Sequence, residues 1–172
     1  MIKTDLIIKN AITHYKAFEW TSNSGEGTTK FQAVFGFEHN SHDKGYPYMW
    51  INDTDAAHDT FTNMTLEGDV NLEFAVCVKW DIVDLEQLNI PNLEDLSEYE
   101  KQAYQKEEAM IRLREAWNAF KADIVKISTF DSIIGSKTSW LPSISFDSDD
   151  IDELNLFRRI CRINLKEYLN RY

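Results

Sequence analysis

The stretch Val70-Asn-Leu-Glu-Phe-Ala-Val-Cys-Val-Lys-Trp-Asp-Ile82 places an apolar residue at every second position. This alternation is typical of a β-strand that has one buried face and one more polar face. At ~3.3 Å per residue, such a strand is roughly 43 Å long. A strand of that length usually exceeds the sheet that supports it. We therefore expect its distal part to extend towards a neighbouring molecule.

A second strand is predicted directly before the long one, over residues 60–67, with a turn at Gly68 between them. A two-residue loop would place Met64 and Leu66 on the polar face of the long strand, because side chains alternate between faces. We therefore predict a three-residue hairpin loop with Gly68 in the left-handed conformation. Further strands are predicted over residues 31–37, 48–51 and 140–146. Residues 154–169 fit either a strand or a helix, and we favour a strand because segment 130–146 needs a partner.

Two helices accompany these strands. The first begins at the capping residue Thr4 and runs to about Trp20, and the second runs from residue 98 to about 127 after a capping box formed by Ser97 and Glu100. The apolar seam of the second helix consists of Met110, Leu113, Trp117, Phe120, Ile124 and Ile127. We predict an α+β fold in a single domain, residues 1–172: a mainly antiparallel sheet of four to six strands with an N-terminal helix and one long helix packed on it.

Two segments interrupt this regular pattern and resemble arms. Residues 21–30 form a polar loop by composition. Residues 84–97, the connector, are acidic but too apolar for a solvated linker, so we expect them to lie on their own domain or on another subunit. The apolar residues of the connector, which we predict to make contacts, are Leu85, Leu88, Ile90, Leu93 and Leu96.

The charge of the chain limits its partners. The net charge is −11 and the pI is about 4.8. Direct binding to nucleic acid phosphates or to an anionic membrane needs a basic patch, so we expect neither kind of binding. We also expect no signal peptide and no membrane span. The composition allows a soluble protein, a docking face for basic partners, or a mimic of nucleic acid charge.

No pattern in the chain predicts catalysis, a metal or a cofactor. His39, His42 and His58 lie among carboxylates, but their spacing matches no metal-binding motif, and polar loops commonly hold such residues in solvent. The acidic run 147–153 resembles a calcium loop, yet its fifth position is Ile151 and no glycine follows. The cysteines at 77 and 161 are expected to be reduced and buried, although a bridge stays open if their strands are adjacent.

An acidic patch and a basic patch lie close together near the end of the chain. Two interpretations stay open: the patches pair within one molecule, or they join neighbouring copies head to tail. The residues predicted to make these contacts are Asp149, Asp150, Asp152, Arg158, Arg159 and Arg162.

The order of elements carries a family resemblance. A helix, the strand-forming Tyr46-Pro-Tyr-Met-Trp-Ile51, the stretch Phe74-Ala-Val-Cys-Val-Lys-Trp-Asp-Ile-Val-Asp84, a long helix around Arg112-Leu-Arg-Glu-Ala-Trp117 and two late strands follow one another. This order resembles the neck and tail-completion proteins of tailed bacteriophages, and within them the tail-terminator-like group.

The resemblance implies a virion structural protein without catalysis, assembled in the host cytoplasm. Its partners are then copies of itself in a ring, portal or adaptor proteins, tail proteins, and DNA that passes through without specific binding. Two alternatives come from other classes. One is an acidic inhibitor that mimics DNA or binds a host defence protein, and the other is a metal-dependent hydrolase that uses the His39 and His42 loop.

Overall fold

The computed structural model describes residues 4–23, 27–38, 45–54, 60–62, 65–135, 140–147 and 151–170; at 60–62, 65–69, 140–142, 151–153 and 166–170 it describes the backbone alone. The helices in this part of the chain are α1 (Thr4–Ala17), α2 (Glu98–Ile124) and α3 (Ile127–Ile134). The strands are β1 (Glu19–Thr21), β2 (Thr28–Lys30), β3 (Val34–Phe35), β4 (Tyr48–Asp53), β5 (Thr60–Thr62), β6 (Thr65–Lys79), β7 (Trp140–Phe146), β8 (Ile151–Glu153) and β9 (Leu156–Asn170).

The main sheet confirms the predicted α+β class. Its strand order is β3-β4-β6-β9-β7, and the short strands β5 and β8 pair with β6 and β9 to bring the total to seven. All described pairs in this sheet are antiparallel except β3 with β4, so the sheet is mixed. Among the described strands β7 pairs with β9 alone, and this edge position tolerates Pro142, which cannot donate a ladder hydrogen bond.

The long strand does not exceed the sheet that supports it, so the reason for expecting it to reach a neighbour is wrong; whether its distal part contacts another molecule stays a prediction. β6 pairs with β9 along its whole length of 15 residues, from Thr65 opposite Asn170 to Lys79 opposite Leu156. Its support is therefore a second long strand, which confirms the strand interpretation of the last segment. β6 also ends earlier than predicted, because Trp80–Ile82 turn into a 3₁₀ helix.

The predicted hairpin turn at Gly68 is also wrong. Gly68 lies inside β6 opposite Glu167, and the turn falls between β5 and β6, where Thr62 pairs with Thr65. Pairing with β9 supplies the backbone hydrogen bonds that outweigh the weak strand preference of glycine. Met64, which entered the register argument, lies outside the described residues.

Several other boundaries differ from the expected ones. α1 ends at Ala17, and Trp20 belongs to β1, which pairs with β2, so residues 21–30 are partly a hairpin and not a free arm. The strand expected over residues 31–37 is reduced to β3. α2 ends at Ile124 because Lys126 is extended (φ −74°, ψ 136°), and Ile127 at the start of α3 is 81% exposed, outside the predicted seam.

The main core lies between one face of the sheet and the three helices. At its centre Tyr15 of α1 is fully buried, with ring centroids 6.1 Å from Phe74 and 5.3 Å from Phe120. Such aromatic contacts add about 0.5–1.5 kcal/mol each to the burial of apolar area. The other side chains buried in this core from α2 and α3 are Ala109, Leu113, Ala116, Trp117, Ile124, Ile133 and Ile134.

A smaller apolar cluster occupies the opposite face of the sheet and contains no helical residue. Its buried members are Tyr48, Trp50, Ala75, Cys77, Leu156 and Ile160. Cys161, in contrast, belongs to the helix-covered core. The two cysteines therefore lie on opposite faces as free thiols, which excludes the bridge left open by the sequence.

Candidate interaction surface

The connector packs on its own domain, since Leu88 lies against the helix-covered core and the Tyr46 hydroxyl donates to Gln87 Oε1 (3.1 Å). Gln105 of α2 donates hydrogen bonds from Nε2 to the carbonyl oxygens of Asp81 (3.2 Å) and Val83 (3.0 Å). Val83 is buried against the backbone of Gly45, whose φ of +64° and close approach leave no room for a side chain. These contacts hold the segment directly before the connector against α2.

Beyond this anchor the connector runs through two short 3₁₀ helices, Leu85–Leu88 and Leu93–Asp95. Asn89 (φ 51°) and Asn92 (φ 55°) between them adopt the left-handed conformation that asparagine tolerates well. All five apolar residues predicted to make contacts stay half-buried, and they are Leu85, Leu88, Ile90, Leu93 and Leu96. The connector therefore contributes apolar surface to the exterior of the domain as well as to its core.

A groove opens where the connector meets α2, and we name it the connector groove. Its volume is about 300 Å³. Its lining consists of Leu88, Asn89, Ile90, Pro91, Tyr104, Glu107, Glu108 and Ile111. Two of these side chains, Ile111 (47% exposed) and Tyr104 (39% exposed), present large apolar area to solvent. An apolar recess with a polar rim is typical of a contact site for another protein.

A second recess, the aromatic pocket, adjoins this groove and shares Glu108 and Ile111 with it. Its volume is about 360 Å³. Its lining consists of Trp20, Ser22, Asn23, Thr29, Tyr46, Pro47, Glu108, Ile111, Arg112 and Glu115. These residues come from the β1–β2 hairpin, from the segment before β4 and from α2. No local sequence pattern links the three segments, so the pocket was not foreseeable from the chain.

Arg112 fastens the segment before β4 to α2. Its Nε donates to Glu108 (2.8 Å), its Nη1 donates to the carbonyl oxygen of Gly45 (2.9 Å), and its guanidinium lies 4.4 Å from the ring centroid of Tyr46. Trp20 Nε1 and the backbone N–H of Asn23 both donate to Glu115 Oε1 at 3.3 Å. The pocket wall is thus held by hydrogen bonds on two sides.

The basic residues near the end of the chain find acidic partners within the same molecule. Arg162 donates to Glu73 (2.8 Å) and to Asp147 (3.0 Å), and Arg158 lies 3.4 Å from Glu38. Arg159 is half-buried and pairs with Val76 in the ladder. The Arg162–Asp147 pair follows the intramolecular interpretation, in which the basic residues pair with the acidic run 147–153.

The acidic side of that predicted contact is largely outside the described part of the chain. Asp149 and Asp150 lie outside the described residues, and Asp152 is described only as a backbone position opposite Phe157 in β8. A role for these residues and for the arginines between copies stays a prediction.

One polar pair in the core was missed at the sequence level. His14 Nε2 of α1 lies 2.7 Å from Asp123 Oδ2 of α2, and Asp123 is only 5% exposed. Lys126 Nζ approaches the other carboxylate oxygen at 3.6 Å. Burial, together with the nearby Asp123 carboxylate, raises the pKa of Tyr15 above its usual range. The sequence signal for this pair was Asp123, an acidic residue beside Ile124 within an otherwise apolar face of α2.

This pair does not form a nucleophile–base arrangement. No described hydroxyl or thiol is hydrogen-bonded to the His14 ring, so the pair joins two helices and activates nothing that is described. His39, His42 and His58, whose spacing argued against a metal-binding motif, lie outside the described residues. Elsewhere in the described ranges no group of three or more histidine, cysteine, aspartate or glutamate side chains is placed to hold a metal ion.

The helices of the described residues all lack the length and apolarity that crossing a membrane requires. Comparison with known protein families gives no match, and no curated protein is significantly similar to the chain in sequence. Inferences about its function therefore rest on its own residues, their geometry, and the order of its elements.

Proposed function

We propose that the chain is a structural subunit, without catalytic activity, that assembles with copies of itself into a ring in the head-to-tail connector of a tailed bacteriophage. The observation that carries the assembly role is the connector groove. It leaves Ile111 and Tyr104 substantially exposed beside half-buried Leu88 and Ile90. Exposed apolar area of this kind is stabilised when another protein covers it. The resemblance in element order supports the phage assignment.

A ring needs two different complementary surfaces on each subunit, because each copy contacts one neighbour with each. The connector groove is the first of these two surfaces. We assign the second to the distal end of the β6–β9 ladder. The last ladder pair described in contact with the helix-covered core is Val70 with Leu165, and five further pairs follow, from Asp69–Lys166 to Thr65–Asn170. These pairs extend the ladder by roughly 17 Å.

The charge of the chain fits a passive relation to DNA in such a ring. A net charge of −11 gives no favourable release of counterions from nucleic acid phosphates. DNA that passes along such subunits is repelled and not held. This part of the proposal predicts no measurable binding of duplex DNA at moderate salt.

The test is the molar mass of the purified protein at increasing concentration, measured by light scattering and by native mass spectrometry. We expect a defined oligomer that dissociates on replacing Ile111 with glutamate, because the new charge lies in the apolar groove. The matched control is Ala103→Glu. Ala103 is exposed on α2 eight residues before Ile111 and points about 80° away around the helix.

Assembly that survives in Ile111→Glu, or that is lost equally in Ala103→Glu, contradicts the groove as the contact site. A wild-type chain that stays monomeric at the highest accessible concentration contradicts self-assembly. The alternative of an acidic inhibitor predicts that monomeric or dimeric behaviour.

A further inference from the structure

The aromatic pocket differs in chemistry from the connector groove beside it. Its walls include the rings of Trp20 and Tyr46, and its polar lining includes the carboxylates of Glu108 and Glu115. Aromatic faces and carboxylates both attract cations, and their combination around one recess selects a positively charged side chain over a neutral or anionic one.

The two carboxylates are not equivalent. Glu108 is already paired with Arg112, whose side chain is only 14% exposed and whose donors also hold Gly45. Glu115 is half-buried, and the hydrogen bonds described for it come from two neutral donors, Trp20 Nε1 and the backbone N–H of Asn23, at 3.3 Å each. Among the described residues no lysine or arginine lies within ion-pair distance of Glu115. Glu115 is thus a half-buried carboxylate in a recess, without a cationic partner among the described residues.

We propose that the aromatic pocket binds a lysine or arginine side chain carried by an extended segment of another protein. The cationic group pairs with Glu115 and lies against the ring of Trp20, because the Arg112 guanidinium already lies over the ring of Tyr46. Exposed Ile111 at the border of the pocket offers apolar contact to an aliphatic residue next to that cation. The acidic charge of the whole chain favours the approach of a basic segment. This inference goes beyond the proposed ring and does not depend on it.

The experiment is an NMR titration of the isotope-labelled full chain with a short capped peptide in which leucine and lysine alternate. We expect shifts of the backbone amide signals of Asn23, Ile111 and Glu115. A matched peptide with glutamine in place of lysine is expected to bind at least about tenfold more weakly, because the charge-assisted hydrogen bonds are lost. Free lysine at the same concentration is expected to give no comparable shifts, because it lacks the aliphatic neighbour.

The variant Glu115→Gln keeps the acceptor for Trp20 but removes the charge, and we expect it to weaken the lysine peptide about tenfold. Its control is Glu107→Gln, the same chemical change at a residue that lines the connector groove but not the pocket. Thr29→Lys is a second variant, which places an ammonium group of the chain itself at the pocket lining and is expected to prevent binding.

Equal binding of the lysine and glutamine peptides overturns the proposal. So does unchanged affinity in both Glu115→Gln and Thr29→Lys, with amide spectra that show a folded chain. Because neither variant alters the apolar connector groove, loss of peptide binding with intact oligomers separates this proposal from the ring.

Discussion

Cys77 and Cys161 are buried on opposite faces of the sheet, and burial raises the pKa of each thiol from about 9 to about 12. Arg158 partly offsets this effect at Cys77. Because the thiolate is the nucleophile, both groups are expected to be chemically inert in the folded chain.

We expect a thiol-labelling reagent to modify neither cysteine in the native protein and both in urea. The sign of the pH effect follows from the raised pKa: the folded thiols stay protonated, so labelling does not accelerate between about pH 7 and about pH 10. In the unfolded chain the labelling rate does rise over this range, since thiols with an ordinary pKa ionise in it. Rapid labelling of either cysteine in the native protein, detected by mass spectrometry, contradicts the burial of that cysteine.

The pair His14–Asp123 is expected to couple α1 to α2 energetically. Replacing His14 with alanine leaves the buried carboxylate of Asp123 with the exposed Lys126 as its remaining described cation. We expect this change to lower the free energy of unfolding by about 1–3 kcal/mol, because it leaves a buried carboxylate oxygen without its hydrogen-bond partner.

The double variant His14→Ala, Asp123→Ala is expected to cost less than the sum of the two single changes, with a coupling of about 1–3 kcal/mol. Urea unfolding of the four proteins measures this cycle. Strictly additive losses contradict an energetic link between the two helices.

Among the elements, α2 has the clearest start. Ser97 Oγ accepts from the backbone N–H of Glu100 (3.3 Å), and the Glu100 carboxylate accepts from the backbone N–H of Ser97 (2.8 Å). The backbone N–H and the Oγ–H of Ser97 both donate to the Glu100 carboxylate, at 2.8 Å each, and lower its pKa. We expect Ser97→Ala to reduce the free energy of unfolding by about 1 kcal/mol. Ser143→Ala, a change at an exposed strand position, serves as control and is expected to stay within about 0.5 kcal/mol of wild type in urea unfolding.

How far an element is predictable depends on the sequence range of the contacts that form it. The capping box spans one helical turn, so the start of α2 was predicted correctly. Gly68 was misread because the contact that decides its conformation is Glu167 in a distant strand. The end of α2 was misplaced because Val125 and Ile127 continue the apolar pattern although the backbone leaves the helix at Lys126.

The candidate sites follow the same rule. The leucines of the connector are close together in sequence, so their importance was visible, but their packing on the same domain depended on the distant core residues that Leu88 contacts. The aromatic pocket joins Trp20, Tyr46 and Glu115, which no spacing relates. Residues that tertiary structure alone brings together carry no local signal.

At the scale of the whole molecule, the net charge of −11 opposes contact between copies. Salt screens this repulsion over a Debye length of about 10 Å at 0.1 M, while burial of the connector groove is apolar and is not weakened by salt. If the ring forms as proposed, we expect the oligomer to become more stable between about 50 mM and about 500 mM sodium chloride. Sedimentation velocity measures this, and dissociation at high salt contradicts an apolar contact.

The ladder between β6 and β9 also has a consequence for how the chain reaches its native state. Its two strands are separated in sequence by the connector and all of α2, α3, β7 and β8. Loop-closure entropy makes such distant pairing slow to form. During translation β6 leaves the ribosome long before β9, the strand with which it pairs. Its apolar side chains are meanwhile available to chaperones, so yield in the cell is expected to depend on them more than on the stability of the finished fold.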